Sequence, residues 1–489
     1  MKTWSLWLLG TVMVTLIVIL ITTPRTGLEA AHVQRIEKGL LTAIVIKDRP
    51  LPMTLTDRMV YYDVPAVSIA VINNGQLAWA KAYGVREAGG ATPVTTETRF
   101  QAASISKPVT AMAALALVQQ GRLSLDDDVN LSLKSWRVPD NDFTKDHKVT
   151  LRRLLNHSAG LNRDEVGSYA AGEALPTLIQ ALDGQTPAKS APLRVEATPG
   201  SQWRYSGGGY SVIQQLMIDM TGKPFPELLQ QLVLRRLGMN DSGFSQPLRN
   251  DWEGLAASGH DAQGQPLKGR WHTFPEMAAA GLWTTPSDLA RFAIEVQQSF
   301  QGKSNRILST DMTKLMLTKE LGAYGLGLWL GGAANVTSFS HAGFNEGFTC
   351  ILTASLESGQ GAVVMTNGDR GSGLFNEILR AIAQEYGWPD YRPLEKTVAN
   401  IDPALYRSYA GEYNAAGVSP TAISTEAGEL YLSAAPLGPQ RVKLYPTTED
   451  HFFMLEHTIE VRFVRDNQGN VSELQVQADS QTITAKKAN

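Results

Sequence analysis

The segment from Phe100 to Gly121, FQAASISKPVTAMAALALVQQG, constrains the fold more than any other part of the chain. Residues 111–118 carry no charge on any side, which predicts a helix buried on all its faces and surrounded by other layers of structure. A charged residue, Lys107, nevertheless stands at the start of this helix, three positions after Ser104. Because residues i and i+3 share one helix face, we expect the amine and the hydroxyl to be neighbours.

Lys107 has two interpretations at this position. The ordinary one is structural, because a lysine at a helix end can extend its side chain to water. The other is chemical, because the first turn of a helix directs backbone N–H groups and partial positive charge towards Ser104, as an acyl-transfer nucleophile requires. Pro108 fits such a first turn, where the amides have no partner within the helix.

Two further stretches bear on this choice. A serine nucleophile needs a base, and PGSQWRYSGGGYSVIQQLM offers Tyr205, whose phenolate a nearby lysine ammonium can stabilise. SHAGFNEGF offers His341 on a predicted strand, and the backbone N–H of Phe344 there is a candidate oxyanion donor beside that of Ser104. Taken singly, Tyr205 is better interpreted as an aromatic side chain packed beside a glycine-rich turn, and His341 as a hydrogen-bonded core or rim residue.

Strand patterns stand at both ends of a helical middle section. Residues 67–85 predict two strands joined by a turn at Asn74-Gly75. Strand patterns return in TSFSHAGFNEGFTCILTASLE and GAVVMTNG, which predicts one antiparallel sheet built from distant segments and an α+β fold flanked by helices. The last ninety or so residues alternate in short strands with Gly, Asp and Asn turns, which predicts a small all-β sandwich or barrel.

The pieces SISK, YSG and HAG occur in one order within these predicted elements. In this respect the chain resembles the penicillin-recognising serine hydrolases, in particular the class C β-lactamase-like branch with its esterases and D-amino-acid peptidases. The resemblance extends over about residues 54–386 and includes LLNHSAGL. It implies that Ser104 is the nucleophile, that Lys107 and Tyr205 transfer protons, and that the amides of Ser104 and Phe344 form the oxyanion hole.

The resemblance also assigns Gly207, His341 and Gly343 to substrate binding, and two of them depart from the family pattern. Gly207 stands where the family has an asparagine, so a side-chain amide that would hold the acyl group is missing. His341 stands where the family has a lysine, and a histidine is largely neutral at pH 7. Because a fixed positive charge for a substrate carboxylate is weakened, we expect an ester, amide or peptide substrate rather than efficient β-lactam hydrolysis.

The sequence predicts three regions. Residues 1–30 contain an uncharged stretch from Thr3 to Pro24, typical of either a cleaved signal peptide or a retained membrane anchor, and both imply export to the periplasm or the outer face of the cytoplasmic membrane. Residues 31–393 are the predicted hydrolase domain. Residues 394–489 resemble the lipocalin-like β-domain that some of these hydrolases carry.

Composition limits the alternatives. A net charge of −3 gives no basic surface excess for nucleic acid, and Cys350 is the single cysteine, so neither an internal disulfide nor a cysteine-based zinc cluster is available. We expect no cofactor and no metal, and a small molecule or peptide as substrate. A catalytically silent protein of the same fold that binds cell-wall peptides or a protein remains the alternative function, and the oligomeric state stays open.

Overall fold

The computed structural model describes residues 27–49, 51, 53–333, 335–478 and 481–488. Of the predicted signal or anchor segment, residues 1–26 lie outside these ranges, and residues 27–38 are helical (α1). Every helix in the described ranges is too short or too polar to span a lipid bilayer. The described residues form two compact units, one from residues 59–375 and one from residues up to 58 together with those from 376 onwards.

A six-stranded sheet runs through the first unit. Its strands are β2 (Ala66–Asn73), β3 (Gln76–Gly84), β6 (Trp329–Gly331), β7 (Ser338–Asn345), β8 (Phe348–Ser355) and β9 (Gly361–Thr366). They lie side by side in the order β3-β2-β9-β8-β7-β6. All neighbours are antiparallel, and β2 pairs with β9 so that Val67 lies opposite Thr366. The predicted sheet of distant segments is therefore confirmed, as is the hairpin turn, where Asn74 and Gly75 both have positive φ. A short second pairing joins β4 (Phe100–Gln101) to β5 (Trp283–Thr284).

Helices form most of the middle section of this unit. They are α3 (Ser106–Gln119), α4 (Leu151–Leu155), α5 (Leu178–Asp183), α6 (Gly207–Thr221), α7 (Phe225–Leu229), α8 (Arg235–Leu237), α9 (Asn250–Glu253), α10 (Met277–Ala280), α11 (Pro286–Phe300) and α12 (Thr310–Met316). Residues 106–117 of α3 are all buried, which confirms the prediction of a helix enclosed on every face. The amphipathic helix α11 packs on strands β2, β9 and β8.

The second unit contains a closed barrel. Its strands are β11 (Gly411–Asn414), β12 (Thr421–Glu426), β13 (Glu429–Ala434), β14 (Val442–Pro446), β15 (His451–Phe453), β16 (Ile459–Arg465), β17 (Val471–Ala478) and β18 (Gln481–Lys487). Buried side chains such as Tyr413, Phe452 and Phe463 fill its interior. In the same unit, β1 (Ile44–Ile46) pairs in parallel with β10 (Leu394–Lys396). This unit also contains α14 (Tyr406–Tyr409), while α2 (Leu55–Tyr61) and α13 (Gly371–Tyr386) each contain a boundary between the units.

The predicted fold class is confirmed, because a mixed unit with an antiparallel sheet and helices precedes an all-β barrel. The alternation of apolar and polar residues in the last ninety residues predicts either a sandwich or a barrel. The structure has a barrel, because β11 pairs with β18 and so closes the sheet. The domain boundary at residue 393 remains a prediction.

Candidate active site

Ser104 lies in a short 3₁₀ turn, Ala103–Ile105, directly before α3. Ala103 adopts a φ of 47°, which is uncommon for a residue other than glycine and is found mainly where surrounding contacts hold the backbone. Those contacts include the Ser106 hydroxyl, which donates to the carbonyl of Ala103 (2.6 Å) and accepts from the amide of Leu282 (3.0 Å). The turn thus places a partly exposed Ser104 at the end of a buried helix.

Lys107 does not extend to water, which contradicts the ordinary interpretation of this residue. The side chain is 2% exposed, and its Nζ donates to Ser104 Oγ (3.0 Å) and to the carbonyl oxygen of Ala279 (3.0 Å). The 3₁₀ turn leads directly into α3, and residues i and i+3 of a helical segment share one face, which brings Ser104 and Lys107 together. Burial of an ammonium is costly unless it is hydrogen-bonded, and the carbonyl of Ala279 meets that need.

Tyr205 joins this pair from a different part of the chain. It comes immediately before Ser206, whose hydroxyl caps α6 by accepting from the amide of Gly209. Lys107 Nζ lies over the Tyr205 ring, 4.9 Å from its centroid. The structure therefore brings together the serine, the lysine and the tyrosine that the sequence singled out.

Strand β7 forms the opposite side of the site. A Cβ atom at Gly343 would lie 2.3 Å from the carbonyl oxygen of Ala102, so only glycine allows the strand to approach the turn that holds Ser104. The next residue, Phe344, has a 59% exposed side chain and lines the same cavity as Ser104. The pairing of β6 with β7 ends at Ser340, so β6 does not cover this part of the strand.

The cavity beside Ser104 has a volume of about 390 Å³. Besides Ser104, Lys107 and Tyr205, its walls include Asp164, Glu165, Val166, Ser168, Gly207, Phe274, Ala280, Phe344, Asn345, Glu346, Thr349 and Asp369. Four of these residues are carboxylates, whereas Lys107 is the one basic residue among the described wall residues. Partial burial raises the pKa of Asp369, and the neighbouring Glu346 adds to that effect. The cavity is therefore electronegative around a single buried ammonium.

His341 is placed away from this cavity surface. It is 2% exposed, its Nδ1 hydrogen-bonds the carbonyl of Ala342 (2.7 Å), and the hydroxyl of Tyr324 lies 3.1 Å from its Nε2. Burial, followed by repulsion from Lys107, lowers the pKa of His341 to about 3, so the ring is neutral at physiological pH. Neither His341 nor Gly343 is among the wall residues, and their predicted role in substrate binding stays a prediction.

Gly207 does line the cavity, and its surroundings explain why it is a glycine. A Cβ atom there would lie 2.8 Å from the carbonyl oxygen of Asp164 and 3.0 Å from a methyl carbon of Val166. The amide of Gly207 also donates to that carbonyl of Asp164 (2.8 Å). The segment at Asp164–Val166 thus occupies the space that a longer side chain at position 207 would need.

Sequence reasoning missed the pair that holds this wall segment. Arg163 and Glu276 form a buried ion pair, and Glu276 also accepts from the amide of Gly167 (2.8 Å) and the hydroxyl of Ser211 (2.7 Å). Arg163 in turn donates to the carbonyl of Ala181. Neither residue stands in a recognisable motif, and the one signal is Glu276 as a lone acid directly before the apolar run MAAAGLW.

Two family models match the chain in succession. The model described as beta-lactamase matches residues 53–386, which is more than half of the chain, and a domain of unknown function, DUF3471, matches residues 395–487. Penicillin-binding protein 4* of Bacillus subtilis is 24% identical over 423 residues, covering 81% of this chain and 89% of that protein. Esterase EstB of Burkholderia gladioli is 32% identical over 215 residues, covering 42% of this chain and 53% of that protein.

Solved structures show the same fold. An octameric penicillin-binding protein homologue from Pyrococcus abyssi superposes with a TM-score of 0.60 at 22% identity, covering 88% of this chain and 98% of the other. The D-amino acid amidase from Ochrobactrum anthropi SV3, complexed with L-phenylalanine amide, superposes with a TM-score of 0.54 at 23% identity, covering 68% and 96%. The resemblance drawn from the short motifs is confirmed: this chain belongs to the beta-lactamase family.

Proposed function

We propose that this protein is a serine hydrolase that forms an acyl-enzyme on Ser104. The observation that carries the proposal is the 3.0 Å hydrogen bond between the buried Lys107 Nζ and Ser104 Oγ at the wall of a cavity. An amine within hydrogen-bond reach of an accessible hydroxyl is the arrangement that activates a serine nucleophile. Membership of a family whose relatives include an esterase supports the same reaction class.

The proposed reaction proceeds in two transfers. Ser104 Oγ attacks the substrate carbonyl carbon while its proton passes to the Lys107–Tyr205 pair, which before this step holds one proton fewer than an ammonium and a phenol together. The backbone N–H groups of Ser104 and Phe344 stabilise the oxyanion. The C–O or C–N bond then breaks as that proton moves to the leaving group. Water next attacks the acyl-enzyme and loses its proton to the same pair. The bond between the acyl carbon and Ser104 Oγ then breaks as that proton passes to Oγ, which releases the acid and restores Ser104.

The charges of the cavity favour a substrate that carries no carboxylate near the scissile bond. The walls present Asp164, Glu165, Glu346 and Asp369. Lys107, the one basic residue among the wall residues that the structure describes, is already hydrogen-bonded to Ser104 and to the carbonyl of Ala279. An anionic substrate would be repelled, whereas a neutral or positively charged one would not. An ester, an amide or a D-amino-acid-containing peptide fits this cavity better than a penicillin, which brings its own carboxylate.

We also propose that the protein acts outside the cytoplasm. The support is the uncharged stretch from Thr3 to Pro24, whose length and composition suit a signal peptide or an anchor. A fusion of residues 1–30 to alkaline phosphatase in a bacterial host tests this point. Phosphatase activity in intact cells supports export, and activity confined to lysates contradicts it.

Hydrolysis of p-nitrophenyl butyrate tests the proposed reaction. The wild-type protein should release p-nitrophenol, and Ser104→Ala should lose at least about 1,000-fold of kcat because it lacks the nucleophile. The matched control is Ser168→Ala, since Ser168 lines the same cavity but its hydroxyl contacts His272 (2.7 Å) rather than a lysine. The control should retain activity within a few-fold.

A matched pair of esters tests the substrate charge. We expect a cationic choline ester to be hydrolysed with a higher kcat/KM than an anionic succinate half-ester of similar size. The double variant Glu346→Gln, Asp369→Asn should lower that preference by about tenfold, as expected for two charges in a partly hydrated cavity. Equal kcat/KM values for both esters would contradict the charge argument. Turnover unchanged in Ser104→Ala would contradict Ser104 as the nucleophile, and no turnover by the folded wild-type protein would favour a catalytically silent binding protein.

A further inference from the structure

His157 is a buried histidine with an unusual backbone. It follows α4, adopts a φ of 62° and is 1% exposed. A residue other than glycine adopts this left-handed region uncommonly, although asparagine, aspartate and histidine do so more often than the rest, and strained examples persist where neighbouring contacts require them. His157 is not among the described residues that line the cavity, so it does not contact a substrate there.

His157 contacts Tyr205 and both of the residues next to it in the chain. Its carbonyl oxygen accepts from the amide of Arg204 (2.9 Å), and its Nδ1 accepts from the amide of Ser206 (3.1 Å). Its ring also packs against the Tyr205 ring, with centroids 4.3 Å apart. The residue before Tyr205, the residue after it and the tyrosine ring itself are therefore all held by one histidine.

These contacts define the protonation of the ring. A backbone amide can only donate, so Nδ1 carries no proton and the neutral ring has its proton on Nε2. That Nε2 atom is buried and has no hydrogen-bond partner among the described residues. Burial, then repulsion from Lys107 and from His341, lowers the pKa of His157 well below its usual value.

We propose that His157 is the positioning residue for Tyr205, acting through its neutral Nδ1 acceptor and its ring. It fixes the backbone on either side of the tyrosine, so that the phenol is held against Lys107 during proton transfer. It is not a general base, because its free nitrogen bears a proton and is enclosed within the protein. This inference rests on the proposed function, since it assigns a role in the proton transfer to and from Ser104.

Three substitutions separate the acceptor from the backbone conformation. In His157→Asn, the side-chain oxygen lies near the place of Nδ1, and asparagine tolerates a positive φ. In His157→Gly, the backbone is freer but both the acceptor and the ring are lost. His157→Leu retains an apolar side chain without an acceptor.

The measurement is kcat and KM for p-nitrophenyl butyrate, together with thermal unfolding. We expect kcat to fall about 100-fold in His157→Gly and His157→Leu with KM within about twofold, because misplacement of a proton-transfer group slows the chemical step. His157→Asn should recover most of kcat. If His157→Asn, His157→Gly and His157→Leu all fold and have the same kcat, the positioning role is overturned.

Nuclear magnetic resonance of protein labelled with ¹⁵N-histidine gives a second readout that does not depend on variants folding. The signals of His157 should show an unprotonated Nδ1 and a protonated Nε2 without titration from about pH 5 to about pH 9. A ring that titrates in this range, or a limb of the kcat profile that disappears in His157→Asn, would show a general base and overturn the inference. Failure of the proposed function would appear in the wild-type protein, which would then not hydrolyse the ester, and that result would overturn both proposals. Failure of the positioning role alone would appear only in the His157 variants or in the titration of the ring.

Discussion

Lys107 Nζ lies 3.0 Å from Ser104 Oγ and equally 3.0 Å from the carbonyl oxygen of Ala279. The first hydrogen bond directs the amine at the Ser104 hydroxyl. The second gives the buried amine an acceptor within the protein. Two aromatic rings also lie near Nζ, those of Tyr205 and Tyr210, with centroids 4.9 Å and 5.7 Å from it. The ammonium is thus held in a poorly hydrated place, where its effect on nearby oxygens is strong.

Replacement of Lys107 tests whether the amine has a chemical role. Lys107→Met keeps an unbranched side chain in the same space but removes the proton carrier, so acylation of Ser104 should slow by about 100-fold to about 10,000-fold. Lys107→Arg should not restore the rate, because a guanidinium does not release its proton and is wider. Stopped-flow measurement of ester acylation gives the rate. The exposed Lys303→Met serves as the control and should match the wild type.

Tyrosine-to-phenylalanine changes at two neighbouring positions separate catalysis from packing. Tyr205→Phe retains the ring contact with His157 but lacks the hydroxyl, so kcat should fall by about 100-fold or more with little change in stability. Tyr210→Phe loses a buried hydrogen bond to the carbonyl of Leu155, so stability should fall by about 1 kcal/mol with kcat within a few-fold. Steady-state kinetics and urea unfolding of both variants provide the comparison. A reversed pattern, with activity lost in Tyr210→Phe alone, would contradict the role given to Tyr205.

Gly207→Asn introduces the asparagine that the family pattern has at this position and tests whether that one substitution gives β-lactam hydrolysis. The new side chain would collide with the carbonyl of Asp164 and with Val166, so we expect a loss of about 1–3 kcal/mol in stability. We also expect no gain in nitrocefin hydrolysis, because the electronegative walls and the neutral His341 are unchanged. Nitrocefin turnover and urea unfolding check both points. A folded variant of wild-type stability that hydrolyses nitrocefin would contradict this explanation of Gly207.

The buried histidines make stability depend on pH. His157 has a pKa well below its usual value and His341 has a pKa of about 3, whereas the unfolded chain takes up protons at both positions as the pH falls below about 6.5. Their contribution to stability is therefore present above that pH and is lost as the pH falls towards the folded-state pKa values. At pH 5 the loss should be about 2 kcal/mol for His341, and His157 should add to it in the same direction.

Urea unfolding at a series of pH values measures this slope. His341→Gln keeps an oxygen acceptor for the hydroxyl of Tyr324 but does not titrate, so its stability should fall less steeply between about pH 7 and about pH 5. A slope identical to that of the wild-type protein would contradict the neutral, buried state of His341.

Local patterns in the sequence predicted the elements that local chemistry determines. The uncharged run in α3, the turn at Asn74-Gly75 and the alternation in the barrel strands are each visible in a few consecutive residues, and each predicted the element found. The order of the short motifs indicated the family, and with it the grouping of Ser104, Lys107 and Tyr205.

Features that depend on contacts between distant segments could not be predicted in this way. The ion pair of Arg163 with Glu276 joins residues more than one hundred positions apart, and the one local signal, a lone acid at Glu276 before an apolar run, does not indicate the partner. The burial of His341 depends on Tyr324, which packs over it from outside its own strand. The filling of the space beside Gly207 depends on the path of residues 164–166. In each case the structural role of the residue is determined by a segment that is distant in the sequence, and not by the residues next to it in the chain.

The most direct test of the central claim is the mass of the protein after reaction with a fluorophosphonate, followed by peptide mapping of the adduct. Wild-type protein should gain one phosphonyl group, located on Ser104. Ser104→Ala should gain none, while Ser168→Ala should be labelled as the wild type is. A folded wild-type protein that stays unlabelled, or an adduct on another residue that persists in Ser104→Ala, would contradict the account.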